Sequence, residues 1–302
     1  MPAPVKAWLQ AARPPAQANI AVPLLFGQAL AYAQAGAFSW KRFALVHVYG
    51  LFVHLFIVFA NDAADWRADL GNKTYNVFSG GSRVVPEGKL TPRQLANGAM
   101  FMALGIGAIG AVAGFIERLP FAVVLAALPL GILWAYSFPP FRLSYRGNGE
   151  VLQALGVGVV LPLTAFYYQA GTFAPLHLAS IVPTALLGYA GNVTTALPDT
   201  PADRKARKRT LAVVLGERPA RITAIGVTAA ALLLGFMALP GKAPWIAAVA
   251  ALAPAVALGL AVPLVPHANA SARNACLRFV VLVAGAGSLA QLGWTAAAFI
   301  AP

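Results

Sequence analysis

The chain has 302 residues, of which 59% are hydrophobic and only 10% are charged. Soluble globular domains carry about 25% charged residues, so this composition excludes a large soluble protein and predicts a polytopic membrane protein. The formal net charge is +13, which would indicate a nucleic-acid-binding protein only if the positive side chains formed a patch on a soluble domain.

Nine apolar segments are long enough to cross a membrane, since a spanning helix needs about 20 mostly apolar residues. In chain order the predicted spans are 19–38, 43–60, 94–116, 120–138, 150–171, 176–198, 220–240, 244–264 and 275–300. Two longer polar loops, 61–93 and 199–219, follow the second and the sixth span. The pattern predicts an all-α fold in which residues 1–302 form a single transmembrane domain.

The distribution of lysine and arginine predicts the orientation of these spans. With nine spans, 18 of the 22 positive residues fall on the side of the N-terminus. Positive residues accumulate in cytoplasmic loops, so we expect the N-terminus and both long loops in the cytoplasm and the C-terminus outside. Positive charge beside an anionic lipid surface also explains the net charge, and we therefore expect membrane lipid, and no nucleic acid, as a partner.

All aspartates of the chain lie at the cytoplasmic ends of the second and sixth predicted spans. They are Asp62, Asp65, Asp69, Asp199 and Asp203. If the second helix continues beyond residue 60, helical spacing places the first three on one stripe together with Asn61. Close carboxylates repel one another, so a cation is expected among them. Mg²⁺ fits, because it is typically bound by one or two carboxylates together with substrate phosphates.

Positive side chains follow each acidic segment. Lys73 and Arg83 follow the first, and the second is followed by Arg204, Lys205, Arg207, Lys208 and Arg209. Carboxylates, a metal and cations together form a site for a diphosphate and can neutralise the charge that grows on a departing diphosphate. A lipid-embedded cavity can hold a hydrocarbon tail. These features predict a membrane enzyme that ionises or displaces a polyprenyl diphosphate.

Two motifs carry a resemblance to a known family. "NDAADWRAD" (61–69) matches the NDxxDxxxD motif of the UbiA superfamily of intramembrane prenyltransferases, and "DTPAD" (199–203) resembles its second motif, DxxxD. The stretches "FSGGSRVVPEGKLTPR" (78–93) and "ADRKARKRTLAVVLG" (202–216) are similar to the branch with 1,4-dihydroxy-2-naphthoate prenyltransferases, which make menaquinone precursors. The resemblance implies a helical bundle around a central cavity in the bacterial plasma membrane.

The same resemblance implies roles for individual residues. The implied ligands of two Mg²⁺ ions are Asp62, Asp65, Asp199 and Asp203, and the implied diphosphate-binding cations are Lys73, Arg83, Lys208 and Arg209. Asn61 would contact the diphosphate or a metal-bound water. Tyr136 would stabilise the allylic cation, because an aromatic face attracts positive charge. Asp69 would hold metal, orient Lys73 or act in deprotonation.

The implied reaction is Mg²⁺-dependent transfer of a polyprenyl group from its diphosphate to an aromatic ring. The chain departs from the naphthoate branch at "NVTTAL" (192–197), where an Asn-Asn-Ile-Arg type of segment is usual, and Pro140 stands where the family often has lysine. We expect 1,4-dihydroxy-2-naphthoate as the acceptor. The alternatives are 4-hydroxybenzoate, homogentisate, haem or a phospho-alcohol.

Two further interpretations compete with a diphosphate site. The aspartates could simply cap helix ends, but they lie near the C-terminal ends of predicted helices, where the helix dipole disfavours negative charge. A cation-coupled transporter would also need carboxylates within the membrane, although near its midplane and often on broken helices. Release of diphosphate from a prenyl donor would distinguish the enzyme from the transporter.

Overall fold

Helices make up most of the chain, which this computed structural model describes over residues 4–76, 78–238 and 244–300. The α-helices are α1 Val5–Ala12, α2 Ala18–Ala35, α3 Trp40–Gly71, α4 Pro92–Ala111, α5 Ala122–Ser137, α6 Gly149–Leu155, α7 Leu161–Ala170, α8 Val182–Ala196, α9 Thr200–Lys205, α10 Leu211–Leu215, α11 Glu217–Ala238, α12 Pro244–Ala261 and α13 Arg273–Ile300. Turns of 3-10 helix cover Pro14–Gln17, Leu143–Tyr145, Leu178–Ser180, Leu197–Asp199 and Val262–Leu264, and π-helical turns cover Val112–Ile116 and Gly156–Val160.

The described residues contain a helix within each segment that was predicted to span the membrane. Five helices are long and apolar enough to cross a bilayer by length and composition: Trp40–Gly71, Pro92–Ile116, Gly149–Ala170, Glu217–Ala238 and Arg273–Ile300. The prediction of an all-α, polytopic membrane protein is confirmed. The number of nine spans and the side on which each terminus lies stay predictions.

α3 is longer than the predicted second span, which was expected to end at residue 60. It runs without a break to Gly71 and therefore carries the whole first acidic motif as helix. Its last carbonyl groups need partners from outside the helix, and the guanidinium of Arg83 donates a hydrogen bond to the backbone oxygen of Asp69. The single stripe of polar side chains that helical spacing predicted is thus present.

Glycines allow helices to approach closely in the middle of the bundle. A Cβ atom added to Gly27 of α2 would lie 2.2 Å from the carbonyl oxygen of Pro162 at the start of α7. A Cβ atom added to Gly158 would lie 2.3 Å from the carbonyl oxygen of Thr184 in α8. In a membrane, where packing rather than water drives helix association, small residues at such contacts are a main source of stability.

A buried arginine fixes the connection between α12 and α13. Arg221 of α11 is 1% exposed. Its guanidinium donates hydrogen bonds to the carbonyl oxygens of Val265 and Ala268, at 2.7 and 2.8 Å, and to Oδ1 of Asn269 at 2.9 Å. Because these acceptors lie on the loop, the charged group ties the loop to α11.

We expect Arg221→Met to lower the stability of the bundle by roughly 2–4 kcal/mol, because it leaves buried carbonyl groups without a donor. Thermal unfolding of the purified protein in detergent measures this change. Arg218→Met is the matched control, since Arg218 lies on the same helix, carries the same charge and is exposed. Equal melting temperatures for the two variants would contradict the role of Arg221.

Candidate active site

The second acidic motif lies where α8 has ended and a short helix begins. Leu197–Asp199 forms one turn of 3-10 helix before α9 starts. Pro198 and Pro201 stand within the first two positions of these elements, where proline is tolerated because its missing N–H is not required. The expectation that every aspartate lies near a C-terminal helix end is wrong for Asp203, which is in the first turn of α9, where the helix dipole favours a carboxylate.

A polar cavity lies between the first and the second acidic motif. Among the residues that line it are Asn61, Asp65, Asp69, Tyr136, Asp199, Asp203 and Lys208, all of which the sequence predicted as site residues. Arg13, Asn72, Gly80, Gly81 and Asn192 also line it. The fold therefore brings together two motifs that are separated by more than a hundred residues in sequence.

Lys208 supplies a positive charge between the two motifs. Its Nζ lies 2.7 Å from Oδ2 of Asp65 and 3.7 Å from Oδ1 of Asp203. Burial alone would lower the pKa of Lys208, but the negative charges of Asp65 and Asp203 hold it above its usual value. Burial raises the pKa of Asp203 to about 7, and the charge of Lys208 opposes that rise. A protein cation thus meets part of the need for positive charge among the carboxylates.

Tyr145 connects Asp65 to the loop after α5. Its hydroxyl donates a hydrogen bond of 2.9 Å to Oδ1 of Asp65, and the guanidinium of Arg142 stacks 4.0 Å from the centre of its ring. Burial, followed by the charge of Asp65, raises the pKa of Tyr145 to about 12, so the hydroxyl remains a donor. Sequence reasoning missed this contact, because it joins residues 80 positions apart and no local pattern indicates it.

The loop after α3 supplies hydrogen-bond donors to both motifs. Asp199 accepts hydrogen bonds from Nδ2 of Asn72 at 2.6 Å and from the backbone N–H of Gly80 at 3.0 Å. Asp62, which was also predicted as a site residue, is not among the residues that line the cavity. Its Oδ2 accepts a hydrogen bond of 3.0 Å from the backbone N–H of Ser82. The same loop therefore orients one carboxylate of each motif.

The donor atoms fit Mg²⁺ in kind. Oδ1 of Asp62 is buried without a hydrogen-bond partner, and it faces Gly81 together with Oδ2 of Asp69: a Cβ atom added to Gly81 would lie 3.1 Å from the first oxygen and 2.4 Å from the second. In the described parts of the chain, no three His, Cys, Asp or Glu side chains form a metal cage. An open set of carboxylates suits Mg²⁺, which keeps waters and binds substrate phosphates.

Three of the predicted diphosphate-binding cations lie outside the polar cavity. Lys73 and Arg209 are exposed, and neither is among the residues that line the cavity. Arg83 stacks 4.3 Å from the ring centre of Tyr75 and binds the end of α3. Arg13, which the sequence did not single out as a site residue, lines the cavity instead and donates a hydrogen bond of 3.2 Å to the carbonyl oxygen of Phe78.

An apolar cavity adjoins the polar one deeper in the bundle. It is lined by Val53, Ile57, Asn61, Pro129, Ile132, Leu133, Tyr136, Leu152, Gln153, Gly156, Val157 and Leu161. Asn61 and Tyr136 line both cavities. The arrangement can bind an amphiphile with an anionic head group on one side of Tyr136 and a hydrocarbon tail on the other.

Comparisons with known proteins agree with this geometry. The sequence pattern of the family described as "UbiA prenyltransferase family" matches residues 20–283. The chain is 29% identical over 239 residues to 1,4-dihydroxy-2-naphthoate octaprenyltransferase of Mycobacterium tuberculosis, covering 79% of each chain. It is 26% identical over 256 residues to 2-carboxy-1,4-naphthoquinone phytyltransferase of Synechocystis sp., covering 81% of this chain and 78% of the relative.

A solved structure has the same fold. The UbiA homolog from Archaeoglobus fulgidus bound to DMAPP and Mg²⁺ superposes with a TM-score of 0.62, over 97% of this chain and 99% of that one. The two sequences are 16% identical. At this identity the likeness establishes the fold and not the substrate.

We expect Gly81→Ala to weaken the binding of inorganic diphosphate in the presence of Mg²⁺ by about tenfold or more, because the new methyl group would meet two carboxylate oxygens. Isothermal titration calorimetry measures this affinity. Gly88→Ala is the matched control: both glycines have positive φ, +67° and +68°, but a Cβ atom on Gly88 meets nothing within 4 Å. Both variants should lose about 1–2 kcal/mol of stability through backbone strain, and equal diphosphate affinities would contradict the prediction.

Proposed function

Because the chain belongs to the UbiA prenyltransferase family, we propose that this membrane prenyltransferase transfers a polyprenyl group from its diphosphate to 1,4-dihydroxy-2-naphthoate in menaquinone biosynthesis. The observation that carries the proposal is the convergence of both acidic motifs and Lys208 on one polar cavity, beside an apolar one. The acceptor is chosen because relatives named for naphthoate and naphthoquinone substrates align with about four fifths of the chain.

The head group of the donor binds in the polar cavity. Two Mg²⁺ ions would be held by Asp62 and Asp65 of the first motif and by Asp199 and Asp203 of the second. When bound, Mg²⁺ neutralises the negative charge of the diphosphate and of its leaving form. The buried, unpartnered Oδ1 of Asp62 supports this assignment, since a buried carboxylate oxygen without a partner is costly unless a ligand satisfies it.

Protein cations complete the head-group site. Lys208 lies between Asp65 and Asp203, so its ammonium can turn towards a phosphate oxygen when metal ions take over the carboxylates. Arg13 adds a second positive charge to the cavity lining. In this proposal Lys73, Arg83 and Arg209 do not contact the diphosphate directly.

The reacting carbon of the donor lies where the two cavities meet. Asn61 and Tyr136 line both of them, so the tail extends from this point into the apolar cavity. The face of Tyr136 stabilises positive charge on the allylic carbon. Asp69 faces the loop at Gly81 and does not line the apolar cavity, which supports a role at the diphosphate rather than in removing a proton from the acceptor ring.

The position of the enzyme follows the charge distribution. We place both acidic motifs, their loops and the N-terminus on the cytoplasmic side of a bacterial plasma membrane, with the C-terminus outside and residues 1–302 forming one transmembrane unit. The excess of lysine and arginine in the loops on one side supports this orientation.

The proposal is tested with purified protein, farnesyl or geranyl diphosphate, Mg²⁺ and a panel of aromatic acceptors. We expect prenylation of 1,4-dihydroxy-2-naphthoate that EDTA abolishes. Prenylation of 4-hydroxybenzoate or homogentisate instead would keep the donor site and replace the acceptor. If no diphosphate is released under any condition, the enzyme assignment fails and the transporter interpretation returns.

We expect Asp199→Asn and Asp65→Asn to lower turnover by roughly a thousandfold, because each removes a charged oxygen ligand at a site that stabilises developing charge. Each variant turns one acceptor oxygen into a donor that faces another donor, but it also removes a negative charge from a cluster of carboxylates that repel one another. Because these effects oppose each other, the melting temperature should change by only a few degrees. Glu87→Gln is the matched control, since Glu87 is a half-exposed carboxylate on the loop after α3, where it pairs with Lys89. Wild-type turnover in either aspartate variant would exclude the metal assignment.

Lys208→Ala should raise the KM for the prenyl diphosphate by about tenfold or more and change the KM for the acceptor much less, because the ammonium interacts with the anionic head group. Lys205→Ala is the matched control: it lies on the exposed side of α9, three residues earlier. Steady-state kinetics with each substrate varied in turn provides the measurement. Equal changes in both KM values would indicate a structural role for Lys208.

A further inference from the structure

A third cavity lies between α2, α6, α8, α11 and α13. The proposed binding of the donor uses only the polar and the apolar cavity and gives this one no role. Its lining includes six polar side chains, from Asn19, Gln153, Thr195, Thr228, Ser288 and Gln291. It meets the other two cavities, because Gln153 also lines the apolar cavity and Thr195 also lines the polar one. We call it the mixed cavity.

Three amide side chains line the mixed cavity, those of Asn19, Gln153 and Gln291. Asn19 is exposed, which leaves Gln153 and Gln291 as the inner amides that are free to bind a ligand. The hydroxyls of Thr195, Thr228 and Ser288 donate to carbonyl oxygens one turn earlier in their own helices, at 2.9, 2.8 and 3.3 Å. By contrast, the described residues provide no hydrogen-bond partner for the amide of Gln153 or Gln291, and Gln291 is only 6% exposed. Neither amide has its polar atoms among the buried, unpartnered ones of the described residues, so both remain open to the cavity. A ligand with hydroxyl groups can therefore bond to them without first breaking a hydrogen bond within the protein.

The rest of the lining indicates the kind of ligand. None of its residues is charged, so the part of the ligand bound here is neutral. A carboxylate on the same ring would have to point out of this lining, towards the polar cavity that shares Thr195. Gly191 of α8 lines the cavity, and a Cβ atom added there would meet nothing within 4 Å. A flat ring can therefore approach the helix backbone at Gly191, with amides within the same cavity to meet hydroxyl groups.

We propose that the mixed cavity binds the ring of the aromatic acceptor, and that Gln153 and Gln291 recognise its hydroxyl groups. This inference rests on the proposed function and adds a location and two specificity-determining residues. An amide carries both donors and an acceptor, so each glutamine can accept a hydrogen bond from a phenolic O–H or donate one to its oxygen. The expected ligand class is a fused aromatic ring with two hydroxyls.

The cost of leaving amides unpaired decides which ligand binds in the apolar cavity and which in the mixed cavity. A prenyl tail in the mixed cavity would cover both glutamines with hydrocarbon and satisfy neither. The apolar cavity carries polar side chains only from Asn61, Tyr136 and Gln153, and the first two stand at its junction with the head-group site. The tail therefore fits the apolar cavity, and the acceptor meets the reacting carbon from the side of Gln153.

The first test compares acceptors with and without the second hydroxyl. Wild-type protein should use 1,4-dihydroxy-2-naphthoate better than 1-hydroxy-2-naphthoate by about tenfold or more in kcat/KM, because a site built for hydroxyls rejects an analogue that lacks one. Gln291→Leu and Gln153→Leu should both raise the KM for the diol and reduce this preference. Gln291→Leu should also leave the KM for farnesyl diphosphate within about twofold, because Gln291 does not line the apolar cavity. Unchanged preference and unchanged acceptor KM in both variants would overturn the proposal.

The second test fills the space at Gly191. Gly191→Val should raise the acceptor KM by about tenfold or more while diphosphate binding in the presence of Mg²⁺ stays unchanged. Gly131→Val is the matched control, because a Cβ atom added to Gly131 also meets nothing within 4 Å, but this glycine lies exposed on α5. If Gly191→Val instead shortens the longest prenyl diphosphate that is used and leaves the acceptor KM unchanged, the mixed cavity holds the tail and the proposal is wrong.

The failure of this inference and the failure of the proposed function give different results. If wild-type protein prenylates neither naphthoate, the proposed acceptor is wrong, and the Gly191 and glutamine variants are then measured with the acceptor that the panel identifies. An effect on the KM of that acceptor would support the location of the ring. Effects confined to the prenyl donor would overturn it.

Discussion

The structure depends on holding five carboxylates close together at one end of an apolar bundle. Negative charges at short distance and low dielectric repel strongly unless cations or N–H groups surround them. Lys208 provides the cation, and the loop after α3 provides N–H groups from Asn72, Gly80 and Ser82. The carboxylates remain under-neutralised, which is the condition in which a site binds divalent cations tightly.

The two acidic motifs lie on different kinds of structure: the first on one continuous helix, the second on a short turn between two helices. α3 is a single helix through Gly71, so its aspartates keep a fixed spacing. The second motif lies on a short turn between α8 and α9, which can direct its carboxylates across the cavity towards α3. Long-range contacts such as the hydrogen bond from Asn72, at the end of α3, to Asp199 then hold the two motifs at one distance.

The stripe of acids on α3 could be predicted from the sequence, because helical spacing is a local property of the chain. The identity of the cations that face the cavity could not. Lys73 follows the first motif closely but is exposed, whereas Lys208 from the other motif pairs with Asp65. Which side chain turns inward depends on how the loop returns over the bundle, and closeness in sequence to a motif contains no such information.

The polar lining of the mixed cavity could not be predicted from the sequence either. Gln153 and Gln291 occur within apolar segments, where a single amide is as compatible with a helix-helix contact as with a cavity. Only the fold brings α6 and α13 against α8 and leaves both amides beside open space. The polar and apolar cavities meet at Asn61 and Tyr136, and the mixed cavity meets them at Thr195 and Gln153. In the proposed function these three cavities would keep head group, tail and acceptor apart until the reacting atoms face one another. A membrane enzyme with a charged leaving group and an insoluble tail needs this separation, because water at the reacting carbon would compete with the acceptor.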